Sequence, residues 1–320
     1  MYYAKRGAAY LALISSAPDS LKGVDPLRAN TMLKAIAKGQ SEFKLLGREH
    51  KIPWNVAAVP GRKWAEKLFP NSPDAVEELW EMILKCSYAD GENPSEQWQS
   101  HLDDIKDRLR KLNAIDTDYM HFTSGNGTDI TVALCEDAKW LGGTATVPEN
   151  TEICPNIPTE ELYSAPHKNR VNGRVKASMP LVYNGNLIED FYFDFKDGAV
   201  VNYDAAKGKE FLKAIMETDD GAKRLGEIAL VPYSSPIRST GILFYNTLFD
   251  ENAACHFALG DAYSSTIDMS VNTDKTLEEK GKNTSSTHVD FMFGTKDLKC
   301  VAVTKNKEEI TVMENGEFVL

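Results

Sequence analysis

The sequence predicts a chain of two parts, an α/β layer domain followed by a mixed α+β domain. Length is the first reason, because 320 residues exceed what most single hydrophobic cores span. The second reason is that the hydrophobic pattern changes near residue 113 from helical periodicity to alternating, strand-like stretches. We therefore place an N-terminal α/β domain at 1–112 and an α+β domain at 113–320.

The first domain is predicted to hold three helices and one short strand. The helices are expected at 26–50, 72–87 and 95–115, and the strand at 54–60. Pro26 suits the first turn of a helix, and Ser72 suits an N-cap. The third helix carries apolar residues at the spacing of one helix face, namely Trp98, Leu102, Ile105, Leu109 and Leu112.

The second domain begins with a predicted hairpin at 118–136, whose turn is the Gly-Asn-Gly of 125–127. Further strands are expected at 173–185, 187–205, 227–235 and 286–294. Residues 205–226 read as a helical insertion that ends at Gly226, a residue type common just after a helix.

Composition excludes several classes of protein. The formal charge of −11 and the absence of a Lys/Arg cluster argue against nucleic-acid binding. Five widely spaced cysteines without a CxxC pair argue against a disulfide framework or a thiolate zinc site, and favour free thiols in the cytoplasm. The apolar run in 1–18 resembles a signal peptide but is short and interrupted, and no other run approaches the ~20 residues of a membrane span.

The segment FDENAACHFALGDAY, residues 249–263, places Glu251, His256 and Tyr263 among small apolar residues. We interpret it as a helix capped by Asp250. On a regular helix Glu251 and His256 would diverge by about 140°, whereas His256 and Tyr263 would share a face. The alternative is a buried helix with a core histidine and an interfacial tyrosine.

Three other segments offer metal-binding side chains. His288 and Asp290 in STHVDFMFG would face the same way on a strand, although H-x-D is common on solvent-facing strands. Glu227 follows Gly226, where a helix is expected to give way to a strand. Glu160 and Glu161 are adjacent and would diverge, so that one could bind a metal while the other acts as acid or base; a turn capped by Thr159 is the alternative.

These segments together supply a plausible donor set for metal ions. It contains four carboxylates and two imidazoles, Glu161, Glu227, Glu251, His256, His288 and Asp290. Four negative charges balance two divalent cations, and bridging carboxylates suit ions roughly 3.5–4 Å apart, as in two-metal hydrolases.

Four blocks resemble the thermophilic aminopeptidase (M29) family of metallopeptidases: NIPTEELYSAPHKNRVNG, RLGEIALVP, LFDENAACHFALGDAY and THVDFMFG. The resemblance implies a cytoplasmic, homodimeric aminopeptidase that uses two divalent ions (zinc, cobalt or manganese) on peptides with a free N-terminus. It assigns the six residues above as metal ligands, with Glu227 bridging, and Tyr263 to the active site. It also implies that the N-terminal domain is shortened, because AKRGAAYLALISSAPD resembles the interior of the family's first domain.

For the chemistry, we expect Glu160 to take the proton of the attacking water and Tyr263 to hydrogen-bond the tetrahedral oxyanion. Two alternatives remain open: another two-metal hydrolase such as a dipeptidase, and an inactive or structural metal-binding homologue.

Overall fold

The computed structural model describes residues 1–15, 18, 20, 24–48 and 50–320. The helices are α1 (Pro26–Arg48), α2 (Arg62–Leu68), α3 (Ala75–Cys86), α4 (Pro94–Asn113), α5 (Lys209–Met216), α6 (Pro236–Ser239) and α7 (Thr247–Asp250). The strands are β1 (Tyr10–Ile14), β2 (Trp54–Ala58), β3 (Thr117–Thr123), β4 (Asp129–Leu134), β5 (Ala145–Val147), β6 (Thr151–Ile153), β7 (Asn156–Ile157), β8 (Leu162–Ser164), β9 (Pro166–Lys176), β10 (Leu181–Tyr183), β11 (Asn186–Lys196), β12 (Ala199–Lys207), β13 (Leu225–Leu230), β14 (His256–Gly260), β15 (His288–Met292), β16 (Lys299–Thr304), β17 (Glu309–Glu314) and β18 (Glu317–Phe318).

The N-terminal part is an α/β layer, as predicted. Strands β1, β2 and β7 form a parallel sheet in that order, and α1 connects the first two. The apolar run that resembles a signal peptide supplies β1. Helices α1 and α3 fall within their predicted ranges, and α4 begins one residue before its range of 95–115. Residue 49, inside the first range, lies outside the described residues. Leu102, Ile105 and Leu112 of the predicted apolar face of α4 are buried.

The largest sheet organises most of the remaining chain. Its strands follow the order β10-β11-β9-β4-β3-β16-β17-β18, and β12 pairs with β11. The predicted hairpin is present as β3 and β4, and Gly127 in its turn adopts a positive φ of 102°. Phenylalanines from this sheet and from its neighbour meet in one core, including Phe122, Phe257 and Phe293, whose rings contact one another.

A smaller antiparallel sheet, in the order β15-β14-β13-β8, carries the candidate site. All residues of β13 and β14 are buried. The predicted helical insertion is shorter than expected, because α5 ends at Met216. Gly226 does not end a helix: it lies inside β13, at a register shift between Leu225 and Glu227. A Cβ atom there would collide with the carbonyl oxygens of Gly260 and Asp261, so the close strand approach requires glycine.

A second core joins distant parts of the sequence. Buried residues of α2 and α3, among them Trp64 and Leu79, pack against Ile237, Phe244 and Phe249. The indole Nε1 of Trp64 donates a hydrogen bond to the carbonyl oxygen of Phe244 at 2.6 Å. This core therefore fixes the segment that leads into Glu251. The division of the chain near residue 113 stays a prediction.

Candidate metal centre

The helix predicted for residues 249–263 is wrong. Helix α7 ends at Asp250, a 3₁₀ turn spans Glu251–Ala253, and His256 begins strand β14. The cause is burial on both faces of the strand: a fully buried strand shows no apolar–polar alternation and reads like a buried helix. The 140° divergence calculated for Glu251 and His256 therefore does not apply.

The predicted capping by Asp250 is also wrong. Asn246 is the N-cap of α7, and its side-chain oxygen accepts a hydrogen bond from the Leu248 backbone N–H. Asp250 is the last residue of that helix. Its carboxylate accepts hydrogen bonds from the backbone N–H groups of Phe244 and Asn246, at 2.7 and 3.0 Å. The turn before Glu251 is thus closed by its own polar side chains.

Strand register gathers four of the candidate ligands on one face of the small sheet. Ala258 of β14 lies between Glu227 of β13 and Asp290 of β15, and Gly260 lies opposite His288. Because alternate residues of a strand share a face, His256 projects on the same side as Ala258. Small side chains therefore alternate with the ligand candidates, which leaves space between the carboxylates. This pattern of small residues was not used in the sequence prediction.

Among the described residues, two groups of side chains could hold an ion, and Glu227 belongs to both. Glu161, Glu227 and His256 form the first group, and Glu227, His288 and Asp290 form the second, with the potential ligand atoms of each group within 4.8 Å of one another. The Oε1 atom of Glu227 lies 3.5 Å from Nε2 of His256, and its Oε2 atom lies 3.5 Å from Nε2 of His288. Each carboxylate oxygen thus faces a different imidazole.

Both imidazoles are oriented by backbone carbonyl groups. Nδ1 of His256 lies 3.1 Å from the carbonyl oxygen of Ala254, and Nδ1 of His288 lies 2.7 Å from that of Asp261. With Nδ1 donating to the backbone, Nε2 faces the carboxylates. Nε2 of His256 is 3.2 Å from Glu161, and Nε2 of His288 is 3.3 Å from Asp290. This is the tautomer that metal-binding histidines commonly adopt.

The donor set fits divalent cations. Among the described residues, Oε2 of Glu227 and Nε2 of His256 are buried and have no hydrogen-bond partner. Such atoms are costly unless a ligand satisfies them. Mixed carboxylate and imidazole donors suit zinc and other first-row divalent metals.

Electrostatics leads to the same conclusion. Burial, together with the nearby Glu161 and Asp290 carboxylates, raises the pKa of Glu251 well above its usual range. Burial likewise raises the pKa of Glu227, with Glu161 adding to the effect. Burial alone would lower the pKa of His288, but Asp290 and Glu227 outweigh it and raise that pKa to about 10. Without cations, the cluster would have to hold protons to offset its negative charge.

A cleft of about 650 Å³ opens onto this cluster. Glu161, Glu227, Glu251, His288 and Asp290 line it, and so does Tyr263. The Tyr263 ring lies 5.1 Å from the His288 ring and 6.0 Å from the Tyr163 ring, measured between centroids. Tyr163 also lines the cleft, two residues after Glu161, and was not singled out in the sequence.

Glu160 lies apart from the cleft. No helix begins at Thr159, so the alternative of a capped helical turn does not apply. The Glu160 carboxylate is 2% exposed and lines a separate cavity of about 320 Å³ with Tyr88, His101 and Arg108. Nε2 of His101 lies 3.5 Å from its Oε1 atom. Burial raises the pKa of Glu160 to about 8. The two adjacent glutamates diverge as expected, and Glu161 is the one that joins the cluster.

A buried carboxylate–imidazole cluster beside an open cleft is typical of metal-dependent hydrolases. Residues 1–318 match the family described as thermophilic metalloprotease (M29), and the chain belongs to that family.

Characterised relatives agree with this assignment. The chain is 41% identical to Aminopeptidase 2 of Geobacillus stearothermophilus, over 98% of this chain and 77% of the relative. It is 37% identical to Aminopeptidase T of Thermus thermophilus, over 99% of this chain and 78% of the relative. The solved structure of wild-type AmpT from Thermus thermophilus superposes with a TM-score of 0.93 at 35% identity, covering 100% of this chain and 78% of that one. The predicted family and fold class are confirmed.

Within the described ranges, no helix combines the length and apolar character that a bilayer crossing requires.

Proposed function

We propose that the protein is a metal-dependent aminopeptidase that hydrolyses the N-terminal peptide bond of peptides at a centre of two divalent ions. The observation that carries the proposal is the position of Glu227, whose two oxygens face two different imidazoles. Glu161 and His256 would complete one ion's donor set, and His288 and Asp290 the other's. The names of the relatives, which are aminopeptidases, support the reaction class.

Glu251 completes the proposed ligand set. It lines the cleft beside the two groups, and burial together with the neighbouring carboxylates raises its pKa. Zinc, cobalt and manganese all suit these donors. When bound, such ions lower the pKa of a water molecule and polarise the scissile carbonyl group.

Tyr263 would stabilise the oxyanion that develops on the scissile carbonyl. Burial, reinforced by Glu227 and Asp290, raises the pKa of Tyr263 well above its usual range. The phenol therefore keeps its proton at neutral pH and can donate a hydrogen bond. Glu160 faces the other cavity, so we no longer propose it as the group that takes the water's proton.

The cleft favours a substrate with a free α-amine. Four carboxylates converge there as proposed metal ligands. A free α-amine would offer a nitrogen lone pair to a bound ion, whereas the amide nitrogen of an acetylated terminus would not. The opposite wall carries aromatic and aliphatic side chains, Tyr10, Phe43, Ile52, Trp54 and Val56. They can cover the apolar part of a first residue such as leucine.

The test is hydrolysis of Leu-p-nitroanilide by the full chain. We expect chelation to abolish activity and divalent ions to restore it. Glu227→Ala should lower activity by at least about 100-fold, because removing a metal ligand should have at least as large an effect as removing a group that orients one. Glu210→Ala, an exposed position on α5, is the matched control and should retain activity.

Four outcomes would contradict the proposal. Undiminished activity after chelation would exclude a metal mechanism. Preference for N-acetylated peptides would exclude an aminopeptidase, and cleavage of dipeptides alone would indicate a dipeptidase. Bound metal without turnover of any peptide would identify a structural homologue.

We also propose a homodimer in the cytoplasm, as the family resemblance implies. Sedimentation at several protein concentrations tests the homodimer, and a monomer at all concentrations would contradict it. Fractionation of cells tests the cytoplasmic location.

A further inference from the structure

Asn252 follows the proposed ligand Glu251 in the 3₁₀ turn and is completely buried, with 0% of its surface exposed. A buried amide must find partners for both its oxygen and its nitrogen. It lies outside the residues that line the cleft, so substrate contact does not explain it.

Both ends of the Asn252 amide are used. Its Oδ1 atom accepts a hydrogen bond from the backbone N–H of Glu160 at 2.7 Å. Its Nδ2 atom donates to the carbonyl oxygen of Leu248 at 2.9 Å. Its backbone carbonyl accepts a hydrogen bond from Oγ of Ser235 at 2.7 Å. Three separate stretches of chain therefore meet at one side chain and its own peptide group.

Two of these stretches carry proposed ligands. The bond to Glu160 holds the residue directly before Glu161, and Asn252 is itself the residue directly after Glu251. The neighbouring peptide is fixed as well, because Nε2 of His101 lies 2.7 Å from the carbonyl oxygen of Thr159. The segment of Glu161 is otherwise irregular between β7 and β8, with no ladder partner for Glu160.

We propose that Asn252 is a positioning residue of the metal centre, which sets the distance between the Glu161 and Glu251 segments through the hydrogen bond to Glu160. This inference rests on the proposed function of the six ligands. Groups that orient ligands typically change metal affinity 10–100-fold when removed. The effect arises because a glutamate side chain is flexible, so its useful position depends on where its backbone is held.

The chemistry of an amide suits this task better than that of its isosteres. Leucine would fill the space but supply neither bond. Aspartate would keep the acceptor for Glu160, lose the donor to Leu248 and add a buried negative charge. The expected order of metal affinity is therefore wild type, then Asn252→Asp, then Asn252→Ala.

The test measures the Kd for Mn²⁺ by titration calorimetry on the chelator-treated full chain. We expect Asn252→Ala to weaken binding of Mn²⁺ about 10–100-fold. Asn246→Ala is the matched control: Asn246 is also buried and hydrogen-bonded in the same segment, but its bond closes α7 and reaches no ligand-bearing strand. Its Kd should stay within about threefold of the wild type, since the cap acts on the helix alone.

Thermal unfolding of each chelated variant separates positioning from general damage. Equal weakening of Mn²⁺ binding in both variants, or an unchanged Kd in Asn252→Ala, would overturn the inference while leaving the proposed function intact. Failure of the wild type to bind any of Mn²⁺, Zn²⁺ and Co²⁺ would overturn the proposed function itself. If Asn252→Ala does not fold, Asn252→Leu decides, because leucine fills the space and supplies neither hydrogen bond: a Kd equal to that of the wild type would overturn the inference.

Discussion

At the scale of single residues, the centre depends on how each polar atom is shared. One carboxylate oxygen of Glu227 faces Nε2 of each imidazole, and Nδ1 of each imidazole lies within hydrogen-bond distance of a backbone carbonyl oxygen. The position of each of these side chains therefore depends on its neighbours. A change at Glu227 should therefore affect both proposed ion sites, whereas a change at Asp290 should affect one more than the other.

Tyr263→Phe is the residue-scale prediction. Loss of the hydroxyl should lower kcat about 100–1000-fold, because a donor to the oxyanion acts mainly in the transition state. KM and metal content should change little. Steady-state kinetics with Leu-p-nitroanilide and metal analysis measure this, with Tyr183→Phe on β10, away from the cleft, as the control. A kcat within threefold of the wild type would contradict the proposed role.

At the scale of elements, the arrangement of the candidate ligands on the small sheet depends on the close approach of β13 to the end of β14. The register shift at Gly226 turns Glu227 toward the cluster, and the absence of a side chain lets β13 lie against the carbonyls of Gly260 and Asp261. Ala258 then separates Glu227 from Asp290 with the smallest Cβ-bearing side chain. The strand geometry, and not a single ligand, thus determines the space between the carboxylates.

Gly226→Ala is the corresponding prediction. The added methyl group would push the strands apart, which should cost about 1–3 kcal/mol of folding free energy and weaken Mn²⁺ binding. Denaturant unfolding and calorimetry give the two quantities. In the control, Gly39→Ala, an added Cβ in α1 meets nothing within 4 Å, so stability should hold or rise by about 1 kcal/mol. Wild-type Mn²⁺ affinity in Gly226→Ala would contradict this account.

The local sequence pattern was enough to predict some of these elements but not others. His288 and Asp290 were predictable because a half-buried strand keeps its period of two, and the strand is present. The segment around His256 was not, since burial on both faces removes that period. The different surroundings of Glu160 and Glu161 depend on Tyr88, His101 and the small sheet, which are distant in sequence. Asn252 offered only a weak signal, a lone amide in a small apolar segment.

At the scale of the whole molecule, bound metal should contribute to stability. Each of the two proposed ions, at 100 times its Kd, would stabilise the folded state by about 2.7 kcal/mol, or roughly 5 °C in Tm. Scanning calorimetry of chelated and metal-loaded protein tests this prediction. An unchanged Tm in a protein that binds metal would show that the cluster is equally available in the unfolded chain.

The sign of the pH dependence follows from His288. Its pKa near 10 in the metal-free protein means that an ion must displace a proton, so metal affinity should strengthen as pH rises. The gain in Tm at fixed Mn²⁺ should therefore be larger at pH 8 than at pH 6. In the chelated protein the same ion pairs stabilise the fold most below about pH 6.5 and lose this effect toward pH 10.

The core that joins α2 and α3 to residues 237–253 has a consequence for synthesis on the ribosome. Trp64 and Leu79 emerge early, but Phe244 and Phe249, which cover them, follow well over a hundred residues later. At 5–20 residues per second, that delay lasts about 10–30 s. The first third of the chain must wait with apolar surface exposed, so chaperone binding during translation should matter more here than in a protein whose N-terminal core closes by itself.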